Sequence, residues 1–74
     1  MATMTIGKLA KSTNVGVETI RYYERSGFLP PPERLSSGYR VYTKDSVNRV
    51  RFIKEAQALG FTLNEITELF GLTD

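Results

Sequence analysis

The 74-residue sequence has no cysteine, no histidine and no tryptophan. Without cysteine the chain can form no disulfide, and without cysteine or histidine it lacks the usual ligands of a structural zinc site. The missing thiols are consistent with a reducing compartment, so we expect a cytoplasmic protein. No apolar run approaches the roughly 20 residues that span a bilayer, and the N-terminus lacks the apolar segment of a signal peptide. A chain of this length predicts one domain, 1–74, with a small core.

The same absences argue against an enzyme. The sequence has no histidine or cysteine, so a nucleophile such as Ser12 or Ser36 has no evident base to activate it. No motif places two carboxylates as an acid–base pair. We therefore expect neither catalysis nor a cofactor or metal ion bound by this chain.

Charge is distributed unevenly along the sequence. All ten basic residues lie at or before Lys54, together with four acidic residues, which gives this part a net charge of +6. The last twenty residues contain no base and carry a net charge of −4. This segregation predicts that a polyanion binds the first two-thirds of the chain. The alternative is that these charges only solvate helix faces, as most surface charges do.

Residues 14–25 predict a tight turn followed by a short helix. Asn14 tolerates the left-handed backbone of a tight turn, and a preceding helix over 6–13 has Thr5 as its N-cap. The unit over about 6–26 therefore reads helix, turn, helix. Such a unit delivers a row of side chains into the major groove of DNA.

The second helix of this unit has one apolar face and one polar face. At 100° per residue, an inward Ile20 lies near Val17 and Tyr23. The opposite face then carries the polar and basic side chains Glu18, Arg21, Tyr22 and Arg25. We interpret this outer face as the surface that reads double-stranded DNA.

The segment of about 28–42 predicts a wing, a β-hairpin beside the helix-turn-helix. Its three consecutive prolines impose extended backbone, and Leu35-Ser36-Ser37-Gly38 is a turn sequence. The aromatic and β-branched residues that follow are typical of a strand. Alternation along this strand places Tyr39 and Tyr42 on opposite faces, so they cannot both face DNA.

A second helical pair is predicted over about 44–70. The first of its helices has a broad apolar arc, so we expect it to be well buried. The arc is formed by Val47, Val50, Phe52, Ile53, Ala56 and Leu59. The sequence Thr62-Leu63-Asn64-Glu65 is a capping box for the last helix, which we expect to end at Gly71. The predicted fold class is therefore mainly α: a winged helix-turn-helix with a small β-hairpin and a second helical pair.

Three linked motifs run through nearly the whole chain. The second helix reads Val-Glu-Thr-Ile-Arg-Tyr-Tyr-Glu-Arg-Ser-Gly. The wing reads Pro-Pro-x-Arg and then Gly-Tyr-Arg-x-Tyr, and the second helical pair reads Arg-Phe-Ile-Lys and then Leu-Gly-Phe-Thr-Leu-x-Glu-Ile. In this order and spacing they resemble the MerR family of bacterial transcription regulators over residues 4–72. Within the family the chain is most similar to the branch that senses mercury and other thiophilic metals.

The resemblance implies that a family member has further segments after its DNA-binding domain. A long antiparallel coiled coil follows it and forms a homodimer, and in the metal branch cysteines near the ends of the coiled coil bind the ion. Family members activate promoters with overlong spacers by realigning the two promoter elements for RNA polymerase. The present chain has neither coiled coil nor sensor segment. We therefore expect it to be a monomer that only binds promoter DNA, in the bacterial nucleoid.

The resemblance also implies which residues contact DNA. It places recognition-helix contacts at Arg21 and Tyr22, with Glu18 and Thr19 at positions that tune sequence choice. It places wing contacts to the backbone at Arg34, Tyr39 and Arg40, and a phosphate contact at Lys54. For Glu18, a simple charge that favours the helix dipole is an equal alternative.

Two other functions are compatible with a small helical domain. An excisionase-like architectural factor resembles this fold and bends DNA for recombination; the continuation of the gene into a coiled coil would distinguish the two. A protein-interaction module is the less favoured alternative. Binding to mixed duplex DNA that weakens steeply with salt would argue against it.

Overall fold

The computed structural model describes the backbone of residues 3–73 and the side chains of residues 3–70. Met1, Ala2 and Asp74, at the ends of the predicted domain, lie outside the described residues. The elements are α1 (Ile6–Thr13), α2 (Val17–Arg25), β1 (Glu33–Arg34), β2 (Arg40–Val41), α3 (Lys44–Ala58) and α4 (Leu63–Thr73). The predicted fold class, mainly α with one small hairpin, is confirmed.

Local sequence determines both ends of α1. The Oγ1 atom of Thr5 accepts a hydrogen bond of 3.2 Å from the backbone N–H of Lys8, which satisfies one of the unpaired N–H groups at the helix start. At the other end Asn14 has a φ of 56°, in the left-handed region. Its N–H donates to the carbonyl oxygen of Lys11 at 3.4 Å. The tight turn predicted before α2 is thus present.

One hydrophobic core joins the four helices and the base of the hairpin. The residues that are 0% exposed come from every helix: Leu9, Ile20, Val50, Ile53 and Ile66. Phe28 and Leu29, which the sequence analysis did not assign to the core, are 9% and 1% exposed. Their backbone N–H groups both donate to the carbonyl oxygen of Tyr23. This apolar pair therefore anchors the chain to the core as it leaves α2.

The wing is the hairpin β1–β2, in which Arg34 pairs with Arg40 in antiparallel register. Directly after β2, the backbones of Tyr42 and Met4 exchange two hydrogen bonds of 2.8 Å. This bridge ties the beginning of the chain to the base of the wing. Tyr39 is 63% exposed and Tyr42 only 1%, so the expected division of the two aromatics is confirmed.

The apolar arc predicted for α3 is narrower in the structure. Phe52 is 43% exposed and Leu59 is 79% exposed, so their assignment to a well-buried face was wrong. Leu59 follows the last helical residue, and it lies where the chain turns away at Gly60, whose φ is 101°. Phe52 lies at the edge of the face that packs on α4, with its ring centroid 5.2 Å from that of Phe70.

The capping box of α4 is confirmed, but the predicted end of this helix is wrong. The N–H of Thr62 donates to Oε1 of Glu65 at 2.9 Å, and the N–H of Glu65 donates to Oγ1 of Thr62 at 3.2 Å. The helix then continues through Gly71 to Thr73. A glycine inside a helix costs about 1 kcal/mol relative to alanine, which weakens a helix without necessarily ending it.

Candidate nucleic-acid interface

The predicted outer face of α2 is exposed in the structure. Ile20 and Tyr23 are 0% and 5% exposed and hold the helix on the core. In addition, the hydroxyl of Tyr23 donates a hydrogen bond of 3.1 Å to Oε1 of Gln57 on α3. The opposite face exposes the four predicted contact residues of this helix: Glu18, Thr19, Arg21 and Tyr22. The packing of α2 therefore leaves this row of side chains accessible.

The ring of Tyr22 is supported from behind although it is exposed. It is 44% exposed, and its centroid lies 6.2 Å from those of both Tyr23 and Phe28, in tilted orientations. Aromatic pairs at such distances and angles attract one another beyond simple burial of area. Tyr22 therefore presents a ring that is held in place by the core.

A cleft of about 320 Å³ lies between α2 and the wing. It brings Arg21 of α2 together with Arg34, Tyr39 and Arg40 of the wing, four of the eight predicted contact residues. The rest of its lining is Thr5, Ile6, Gly38 and Tyr42. Three arginines thus line one cleft that has no acidic residue in its lining. Guanidinium groups match phosphate geometry through paired N–H donors, so the cleft suits a backbone phosphate.

The wing is held in shape by one of these arginines. The Nη1 atom of Arg34 donates to the carbonyl oxygen of Gly38 at 3.1 Å, across the turn of the hairpin. Gly38 has a φ of 86°, a conformation that glycine adopts without strain. Because a guanidinium carries five N–H donors, Arg34 keeps most of them for a ligand.

Glu24 is a component of this region that the sequence analysis missed. Its side chain is only 10% exposed, and one carboxylate oxygen accepts a hydrogen bond from the Tyr42 hydroxyl. The other oxygen lies 3.8 Å from Nη1 of Arg40. Burial, followed by this hydrogen bond, raises the pKa of Tyr42 from 10.0 to about 12. The signal in the sequence was spacing: Glu24 follows the buried Ile20 by four residues and so lies towards the same face of α2.

Lys54 lies apart from the cleft. Its Nζ donates to the carbonyl oxygens of Thr13 and Asn14 at 3.3 and 3.4 Å. Nearby, Nη2 of Arg51 donates to the carbonyl oxygen of Ser12 at 3.3 Å. These two basic side chains of α3 therefore satisfy carbonyl groups at the C-terminal end of α1.

Two further findings concern the described part of the chain. Within it, His, Cys, Asp and Glu form no group of three or more that could bind a metal ion. In the same residues no helix is both long enough and apolar enough to cross a membrane.

Comparison with known families identifies this arrangement. Residues 4–72 match the model described as the MerR HTH family regulatory protein. The chain belongs to the MerR family. The match covers α1, α2, the wing, α3 and nearly all of α4, and it supports the regulator interpretation over the excisionase-like alternative.

Curated relatives point to the same branch of the MerR family that the motifs indicated. The mercuric resistance operon regulatory protein of Bacillus cereus is 56% identical over 69 residues, which cover 93% of this chain and 52% of the relative. The protein of the same name from Serratia marcescens is 52% identical over 71 residues, which cover 96% of this chain and 49% of the relative. The chain thus spans about half the length of these relatives. Both are named as regulatory proteins, which agrees with the prediction that this chain is not an enzyme.

Solved structures of MerR-type regulators share the fold. A transcription regulator from Ralstonia metallidurans, in complex with lead(II), has a TM-score of 0.89 and 39% identity, over 96% of this chain and 56% of that one. A MerR family regulator lacking the sensor domain, bound to promoter DNA, has a TM-score of 0.88 and 25% identity. That comparison covers 97% of this chain and 55% of the other.

Proposed function

We propose that this chain binds double-stranded promoter DNA in a sequence-specific manner, as the DNA-binding part of a bacterial MerR-type transcription regulator. The α2 helix would enter the major groove, and the wing would lie on the adjacent backbone. The cleft between α2 and the wing carries this proposal, because it joins the exposed face of α2 to three basic or aromatic wing residues. The similarity to a family member bound to promoter DNA supports it.

The roles on α2 follow from the chemistry of each exposed side chain. Arg21 would grip a guanine edge or a phosphate with paired donors, and the supported ring of Tyr22 would pack on a thymine methyl group or a sugar. Glu18 and Thr19, in the first turns of the helix, would tune the choice of bases. A carboxylate can accept a hydrogen bond from a cytosine amine, and this is the role we propose for Glu18.

The remaining contacts would be to phosphates. Arg34, Tyr39 and Arg40 border the cleft and would bind the backbone beside the groove. Lys54 uses its ammonium group on two carbonyl oxygens of the α1 end, and an ammonium has three N–H donors. We propose that the third donor of Lys54 reaches a phosphate near the N-terminal end of α2.

We propose that the full-length regulator containing this DNA-binding part, called the parent below, responds to a metal ion. We propose a homodimer that acts with RNA polymerase at a promoter in the cytoplasm, at the nucleoid. Support comes from the names of the relatives, which regulate a mercuric resistance operon, and from a similar structure that contains lead(II). This chain has no cysteine, so it would bind DNA without any cofactor, and the ion would be bound elsewhere in the parent.

Binding to labelled duplexes at several salt concentrations tests the proposal. An operator recovered by selection from a random-sequence library should bind more tightly than the unselected library. On both duplexes the affinity should fall with salt, with a logarithmic slope of about −0.9 for each phosphate contact. No enrichment of any sequence, or affinity that is insensitive to salt, would contradict sequence-specific DNA binding.

A further inference from the structure

Glu24 is an acidic side chain buried at the edge of a basic cleft. It lies on α2, yet its two carboxylate oxygens contact residues that follow the hairpin turn, Tyr42 and Arg40. An acid near a DNA-binding surface would ordinarily weaken binding, because it repels phosphates. The burial of Glu24, with a side chain 10% exposed, shows that it does not act as an ordinary solvated surface charge.

The two carboxylate oxygens have separate partners. The oxygen that accepts from the Tyr42 hydroxyl fixes the orientation of the carboxylate, because Tyr42 is 1% exposed and its backbone is bonded to Met4. With a pKa of about 12, the Tyr42 hydroxyl is protonated at neutral pH and can donate this hydrogen bond. The second oxygen of Glu24 then points towards the guanidinium group of Arg40 at 3.8 Å.

Part of the Arg40 side chain remains accessible to a ligand. Its side chain is 50% exposed, and it lines the cleft with Arg21 and Arg34. Like charges that line one cleft repel one another, and the carboxylate of Glu24 beside Arg40 offsets part of that repulsion. The contact with Glu24 therefore restricts the position of Arg40 without occupying all of its donors.

We propose that Glu24 is a positioning residue for DNA binding, which holds Arg40 against α2 so that Arg40, Arg21 and Arg34 contact the same stretch of DNA backbone. This inference rests on the proposed DNA-binding function. It reverses the usual expectation for removal of a negative charge: neutralising Glu24 should weaken DNA binding. It also couples the geometry of the wing to that of α2 through one carboxylate.

A pair of matched variants separates positioning from general electrostatics. Glu24→Gln and Glu33→Gln make the same charge change, but Glu33 is an exposed residue of β1. On a labelled random-sequence duplex of about 20 base pairs, Glu24→Gln should weaken binding by about threefold to thirtyfold, which lies within the range found for coupled neighbours. It should also reduce the magnitude of the salt slope by up to about one, as expected when a phosphate contact is lost. Glu33→Gln should bind as well as the wild type or better.

A double-mutant cycle shows whether Glu24 acts through Arg40. In the Arg40→Ala background, Glu24→Gln should cause no further loss of DNA affinity. An equal loss in both backgrounds would mean a merely structural role and would overturn the inference. Circular dichroism melting checks that each variant is folded. Should Glu24→Gln fail to fold, the same cycle with Tyr42→Phe decides, because that variant removes the hydroxyl that orients the carboxylate.

The remaining outcomes are distinguishable. If Glu24→Gln strengthens binding as Glu33→Gln does, Glu24 is only a repulsive charge and the inference fails while DNA binding stands. If the wild-type chain binds no duplex at any salt concentration, the proposed function itself is refuted, and the inference with it.

Discussion

The Nζ atom of Lys54 lies 3.3 Å from the carbonyl oxygen of Thr13, the last residue of α1. A cation at this end of a helix interacts favourably with the partial negative charge of its unpaired carbonyl groups. Because the turn before α2 begins at the next residue, this contact joins α3 to the helix-turn-helix. Lys54 therefore has a structural role in addition to the phosphate contact that we propose for it.

Replacing Lys54 should affect both stability and DNA binding. We expect Lys54→Ala to lower the free energy of unfolding by about 0.3–1 kcal/mol, because the end of α1 loses its cation. It should also weaken binding to the operator and to random duplexes by the same factor. Thermal melting and fluorescence anisotropy measure the two effects. Lys8→Ala, an exposed lysine in α1, is the control for stability, and an equal melting temperature in both variants would argue against the structural role.

Arg21 and Arg40 should differ in what their loss does to specificity. Arg21→Ala should cost about 1–3 kcal/mol on a cognate half-site and relax the preference for one base, if Arg21 reads a base edge. Arg40→Ala should weaken binding almost equally on all sequences and reduce the salt slope. Competition between the operator and random duplexes measures both. Identical losses on every duplex for the two variants would show that this division of roles is wrong.

Thr62→Ala should destabilise α4 without changing DNA binding. It removes the Oγ1 atom that accepts from the N–H of Glu65, and loss of such a cap costs about 0.5–2 kcal/mol. The measurement is the shift of the thermal melting curve. Asn64→Ala, at an exposed position in the same helical turn, is the control and should not lower the melting temperature. A Thr62→Ala variant that melts with the wild type would contradict the capping box.

High pH should destabilise the fold through Tyr42. Its pKa is raised from 10.0 to about 12 in the folded chain, so the hydroxyl stabilises the fold fully below its unfolded pKa. This stabilisation should be lost as the pH rises from about 10 through about 12. Urea unfolding across that range should show the decline in the wild type and in Tyr39→Phe, a variant at an exposed position. Tyr42→Phe should show a smaller decline, and an equal one would rule out Tyr42 as the source.

The 74-residue chain should be a monomer that does not respond to metal ions. The sequence has no sustained heptads, so it has no means to build a coiled-coil dimer. A single domain also lacks the effective concentration that linked domains gain, so binding to a half-site should be weak. Mercuric ion should leave DNA affinity unchanged, because there is no thiolate to bind it. A stable dimer in sedimentation at micromolar concentration, or a mercury-dependent change in DNA affinity, would contradict this prediction.

Features that depend on near neighbours could be predicted from the sequence. The cap at Thr5, the left-handed Asn14 and the reciprocal bonds of Thr62 and Glu65 each involve residues within a few positions of one another. Such chemistry is nearly independent of the rest of the fold. The exposed face of α2 was predictable for a similar reason, since a helical period and one buried residue, Ile20, determine it.

Contacts between distant elements could not be predicted in this way. Spacing from Ile20 turns Glu24 towards the core, but nearby residues do not reveal its partner, because only the fold brings Tyr42 beside it. Lys54 similarly reads as a surface cation until α3 packs on the end of α1. The predicted α4 was too short because glycine is typical of helix ends, whereas α4 continues past Gly71 to Thr73. In contrast, the burial of Leu29 had a local signal that the sequence prediction did not use, an apolar residue directly before the prolines.

The bridge between Met4 and Tyr42 has a consequence for exchanging specificity between regulators. By joining these two residues, it makes residues 4–42 a closed circuit that contains both helices of the helix-turn-helix and the wing. A chimera that transplants α2 alone would place Glu24 beside the wing of another regulator. The contacts of Glu24 with residues 40 and 42 would then depend on a hairpin from a different sequence. The unit that can be grafted between relatives is therefore the whole circuit rather than the helix that reads the bases.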